Sequence, residues 1–153
     1  DFLALIQIRS DVPEAYRAVE WVAFGSNAFN AMIPLYANAD RIPAYLSNTG
    51  REVSTDSFYW ASRLIGALAD SCYGRCIAHI ERYQSAVQAK GHEIILHYDR
   101  LLKDAAAEKS ADLIAKANQE IADMAQKETA AVLDKVLFEA SCRMRNAYSR
   151  SDS

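Results

Sequence analysis

Apolar side chains alternate along residues 2–9, with Phe2, Ala4, Ile6 and Ile8 on one side and Gln7 and Arg9 beginning the other. A period of two predicts a strand, here one that fades toward solvent at Arg9. "SDVPEAYRA" (10–18) supplies turn chemistry, because Pro13 fixes its own φ and biases Val12 toward extended backbone. "VEWVAF" (19–24) alternates again, with Val19, Trp21 and Ala23 together, until Gly25 and Ser26 end the run. The two runs are expected to pair as an antiparallel hairpin. Residues 26–49, "SNAFNAMIPLYANADRIPAYLSNT", hold no sustained period and are expected to form an ordered, irregular connector.

From Ser54 the period changes. Ser54 or Thr55 can cap a helix, with Asp56 near the positive end of its dipole. Phe58, Ala61, Ile65, Leu68, Cys72, Cys76, Ile80, Tyr83, Val87, Ile94, Tyr98 and Leu101 then recur in steps of three, four or seven as one apolar stripe. Gly91 falls on that stripe, where a continuing helix would admit a close neighbour. One helix over 55–103 would run about 70 Å, whereas a compact domain of this size is only about 40 Å across. The pattern therefore predicts a break near Gly74 or Gly91, or else an elongated molecule, and elongation is the expectation favoured. Residues 103–148, rich in Ala, Glu, Lys and Leu, read as a further helix. Its stripe of Ala117, Ile121, Ala125, Val132, Val136, Ala140 and Met144 drifts slowly round the axis. A short polar linker at 103–110 predicts an antiparallel αα-hairpin.

The fold class expected is thus α+β, predominantly α: terminal strands and connector (1–53), a long helical hairpin (54–148) and a frayed tail, "SRSDS" (149–153). A lone two-stranded ribbon is marginal in water. Strands this apolar are too sticky to be left bare, so the sheet is expected to be completed from elsewhere. The chain opens at Asp1 directly into a strand pattern, which reads like the middle of a longer polypeptide.

Composition narrows the function classes. The 153 residues are 51% hydrophobic and 24% charged, as in ordinary globular domains. A net charge of -3 argues against nucleic-acid binding, which needs a concentrated basic face. No apolar run approaches the roughly 18 residues needed to span a bilayer. Three cysteines at irregular spacing point to a reduced compartment, and a cytoplasmic location is expected.

Chemistry is sparse. Cys72, Cys76 and His79 share one helical face at i, i+4 and i+7, but structural zinc takes four ligands, and buried free cysteine behaves as a small hydrophobe. His79 and His97 are about 27 Å apart along a helix and cannot share a metal. Neither a metal nor a cofactor is expected. No cysteine sits in a loop or at a helix start, where its thiolate would be favoured. No phosphate loop, nucleophile elbow or HExxH is present.

Within residues 19–99, "VEWVAFGSNAFNAMIPLYANADRIPAYLSNT", "VSTDSFYWASRLIGALAD", "IERYQ" and "KGHEI" together resemble the C-terminal third of the dipeptidase A family of bacterial cysteine peptidases. That family belongs to the amino-terminal-nucleophile hydrolases, with secernins and penicillin V acylase as relatives. The resemblance implies an αββα sandwich in which a processed N-terminal cysteine is nucleophile and its own α-amino group the base. Asp1 cannot play that part, so the nucleophile is expected upstream and no catalytic residue is assigned in this chain. The strands would be the sandwich's last, and the partners implied are the upstream polypeptide, a dipeptide substrate and a second copy in a homo-oligomer. Asn27 and Asn30 leave the end of a sheet strand and become candidates for substrate contact, against the plainer role of capping turns. The competing reading is a non-catalytic helical self-association or interaction module.

Overall fold

The structure, a computed structural model, describes residues 2–144. The two predicted strands form as β1 (Phe2–Ile8) and β2 (Ala18–Phe24). They pair antiparallel in a register that sets Phe2 against Phe24 and Ile8 against Ala18. Arg9, expected to face solvent, instead folds back: it donates to Asp99 at 2.5 and 3.2 Å and to the Tyr16 carbonyl at 2.6 Å. A guanidinium beside an apolar strand end finds a carboxylate on the packed helix, and the fork geometry of the pair locks that end down.

A third strand lies inside the segment expected to be irregular. Ile33–Tyr36, "IPLY", forms β3 and pairs antiparallel with β2, giving the order β1-β2-β3. Four residues containing a proline give little periodic signal, and Pro34 is tolerable only on a sheet edge. The edge is where it sits. Tyr36 turns its amide outward, where Asn118 Oδ1 accepts it at 2.9 Å and Asn118 Nδ2 donates to the Tyr36 carbonyl at 3.1 Å. A single buried side-chain amide thus stands in for a fourth strand. Pro34 lies two residues earlier on the same edge, so its missing N–H leaves nothing unpaired in the ladder.

A short helix, α1 (Ala44–Ser47), leads to α2 (Phe58–Ser71). The cap of α2 is Ser57, not Ser54 or Thr55: Ser57 Oγ accepts from the Trp60 amide at 3.3 Å and itself bonds the Asn48 carbonyl. The single long helix does not form. Cys72, at φ -137° and ψ 36°, separates α2 from α3 (Tyr73–Asp104). The break falls two residues before Gly74, and α3 runs unbroken through Gly91. At Gly91 a Cβ would lie 2.8 Å from Pro34 Cδ, so α3 crosses β3 with the proline ring against bare backbone. The last helix, α4 (Ala107–Ser141), returns antiparallel after a two-residue joint, tied by Tyr83–Thr129 at 3.1 Å and Tyr98–Glu120 at 3.0 Å. At 1.5 Å per residue α3 and α4 extend about 48 and 52 Å.

The stripe is buried largely as predicted, with Phe58, Ile65, Ile80, Val87, Ile121 and Val136 fully enclosed. At its end the register is off by one: Leu102 is buried and Leu101 exposed. Met144 also lies in the open. Residues 145–148 of the predicted helix and the tail 149–153 lie outside the described residues. β1 remains exposed along its whole length, with Phe2, Leu5, Ile6 and Ile8 each 55–65% exposed.

Candidate functional site

The connector after β2 turns sharply. Gly25 has φ 75°, which favours glycine, and a Cβ there would stand 3.1 Å from Asn30 Nδ2. That turn folds Ser26–Asn30 against α3. Asn30 is buried and donates its Nδ2 to the Ser26 carbonyl at 2.9 Å. Gln84, from α3, donates to the carbonyls of Ala28 at 3.3 Å and Asn30 at 3.1 Å. Phe29 anchors the loop tip against Tyr73, ring centroids 6.1 Å apart.

Between this loop, β2 and α3 lies a cavity of about 280 Å³ lined by Trp21, Asn27, Asn30, Met32, Gln84 and Gln88. The structure therefore brings the two predicted asparagines to one wall. Asn27 is exposed at its mouth and Asn30 is buried in its lining. Asn30 does hold a turn through Nδ2, but its Oδ1 is buried with no hydrogen-bond partner, which a turn-capping role leaves unexplained. Asn38 is a pure turn residue, donating to the carbonyls of Glu14 and Ala15 at 3.3 and 3.1 Å. Trp21 donates its Nε1 to Gln7 at 3.1 Å and packs against the tilted His92 ring, centroids 4.9 Å apart. Gln84 and Gln88 were not singled out from the sequence. Their one available signal was i, i+4 spacing on the helix flank that the connector must cross.

The cysteine cluster is a core feature. Cys72 and Cys76 are buried free thiols with Sγ atoms 2.8 Å apart. Burial, then the neighbouring Cys72 thiol, pushes the Cys76 thiol up to about 12, which disfavours a nucleophilic thiolate. His79 opens instead onto a separate groove beside Phe138 and Glu139. Cys142 is exposed just past the C-terminal end of α4. Among the described residues no three His, Cys, Asp or Glu side chains gather as a metal site, and no helix is long and apolar enough to cross a membrane.

The fold is α+β with a bare edge strand, and the cavity lining holds no nucleophile and no metal ligand. The model of peptidase family C69 matches residues 1–86, and the chain belongs to that family. It is 40% identical over 149 residues to a probable dipeptidase A of Streptococcus pyogenes, covering 97% of this chain and 31% of that protein. It is 34% identical to a dipeptidase of Bifidobacterium longum, covering 98% of this chain and 35% of that protein. A dipeptidase A of Lactobacillus helveticus is 29% identical over 149 residues. The chain thus spans about a third of the length of the curated relatives it matches.

Proposed function

We propose that this chain is the C-terminal portion of a cysteine dipeptidase that hydrolyses small peptides without a cofactor. Membership of the C69 peptidase family carries the reading, together with the dipeptidase names of its relatives. In it, an upstream segment of the same polypeptide supplies the N-terminal cysteine, which attacks the peptide carbonyl while its α-amine accepts the proton. The present chain contributes scaffold, and Asn27 and Asn30 contribute the rim of the substrate pocket. The exposed apolar β1 supports this division. Unpaired N–H and C=O groups along an exposed apolar edge strand are a ready template for pairing with another strand, and an upstream strand of an αββα sandwich would cover them. Residues 1–53 would then belong to the sandwich and the helical hairpin would pack outside it. Free thiols at all three cysteines accord with a cytoplasmic location.

The test is to express the 153 residues alone and preceded by the segment found in the relatives. The longer protein should hydrolyse dipeptides and lose activity on alkylation or replacement of its N-terminal cysteine. The 153-residue chain should show no turnover. A longer protein inert toward dipeptides, or thiol-dependent turnover by the short one, would overturn the reading.

A further inference from the structure

Arg63 is held in one pose against the first turn of α2. Its guanidinium Cζ lies 5.4 Å from the centroid of the Tyr59 ring and 5.5 Å from that of Trp60. Its Nη1 donates to the Tyr59 hydroxyl at 3.0 Å. The two rings are themselves fixed. Trp60 donates Nε1 to the Gly50 carbonyl at 2.8 Å, and Tyr59 stands edge-on to Phe24, the last residue of β2, with centroids 5.9 Å apart. Residues three and four back along a helix share a face, and helical side chains lean toward the N-terminus, so the order Tyr59, Trp60, Arg63 builds this stack locally.

Stacking covers the flat face of a guanidinium and leaves its edge of N–H donors available. Arg9, which lies 5.9 Å from the Tyr36 ring, commits that edge to Asp99. Among the described residues no carboxylate pairs with Arg63, although its side chain is exposed. Ordering a long side chain costs rotamer entropy, and here that cost is met before any anion arrives. The position matters too. A Cβ on Gly25 would stand 3.5 Å from the Arg63 amide nitrogen, so α2 crosses the end of β2 at the turn from which the connector carrying Asn27 departs. We propose that Arg63 binds the C-terminal carboxylate of the dipeptide substrate through the open edge of its guanidinium. This rests on the peptidase reading and assigns one end of that substrate to this side chain. A planar fork of charged donors matches a carboxylate and has no comparable match in a neutral carboxamide, so Arg63 sets the preference for a free C-terminus.

The experiment uses the full-length enzyme and compares kcat/KM for a free dipeptide and its C-terminal amide. Arg63→Gln should lower kcat/KM for the free dipeptide by about tenfold or more and leave the amide nearly unchanged. Arg63→Lys keeps the charge without the fork, should lose less than Arg63→Gln on the free dipeptide alone, and covers the case in which Arg63→Gln fails to fold. Equal loss on both substrates, as for an arginine that pairs with a carboxylate of the upstream segment, overturns the assignment while leaving the peptidase reading intact. An unchanged ratio in a folded variant does the same. A wild-type enzyme that hydrolyses neither substrate overturns both.

Discussion

Replacing Asn118 with Ala removes the amide that closes the β3 edge. Two backbone groups of Tyr36 lose their partners at once, at 2.9 and 3.1 Å, in a position where Asn118 is 3% and Tyr36 1% exposed. Water cannot replace the amide without opening the contact between α4 and β3. A buried donor or acceptor left unpaired costs about 1 to 3 kcal/mol, so the pair should cost roughly 2 to 6 kcal/mol. That is a large share of the about 5 to 15 kcal/mol by which domains are stable. Urea unfolding followed by far-UV circular dichroism should show a lower midpoint at unchanged m-value. Asn118→Leu separates hydrogen bonding from volume: it keeps the bulk, loses both bonds, and should be nearly as damaging. Asn118→Asp keeps the acceptor for the Tyr36 N–H but sets a carboxylate oxygen against the Tyr36 carbonyl. Burial and that carbonyl raise its folded-state pKa above the unfolded value, so its deficit should shrink as pH falls and the protonated carboxyl regains a donor. An Asn118→Ala variant within about 0.5 kcal/mol of wild type, the range of an ordinary surface change, would refute the strand-surrogate argument.

Gly91→Ala should destabilise by about 1 to 2 kcal/mol in the same unfolding assay, overpacking against the rigid Pro34 ring outweighing the gain in helix propensity; a more stable variant would show that α3 shifts freely. Of the three thiols, Cys142 should react quickly with a thiol reagent at neutral pH while Cys72 and Cys76 stay protected until unfolding, and rapid modification of all three would contradict their burial. Because the Cys76 thiol is raised from 9.0 to about 12, the unfolded chain releases that proton first. Its contribution to stability is therefore intact below pH 9.0 and declines as pH rises toward 12; Cys76→Ala should be less stable overall but flatter across that window, and an unchanged alkaline slope would count against it. The isolated 153-residue chain should self-associate in sedimentation at low micromolar concentration through its open β1 edge, as a two-fold dimer, and a compact monomer would refute that.

The sequence by itself determined the elements whose side chains repeat over many residues. The alternation in residues 2–9 and 19–24 located a hairpin, and the stripes from Phe58 to Leu101 and from Ala117 to Met144 located two antiparallel helical stretches, because burying one face of a helix needs a fixed period. Motifs spread over residues 19–99 also carried the family resemblance. Periodicity could not locate β3, whose four residues include a proline and whose outer edge is satisfied by Asn118, 82 residues from Tyr36. Nor could it decide between a break at Gly74 and one at Gly91: Gly91 is glycine because Pro34 needs the space, a contact that exists only once β3 is folded against α3. The candidate site divides the same way. Two loop asparagines at a strand end were legible as polar groups, but the tertiary structure decided that Gln84 would engage the carbonyls of Ala28 and Asn30 and that the Asn30 side-chain oxygen would be left unpaired, since hydrogen-bond satisfaction depends on partners distant in the chain.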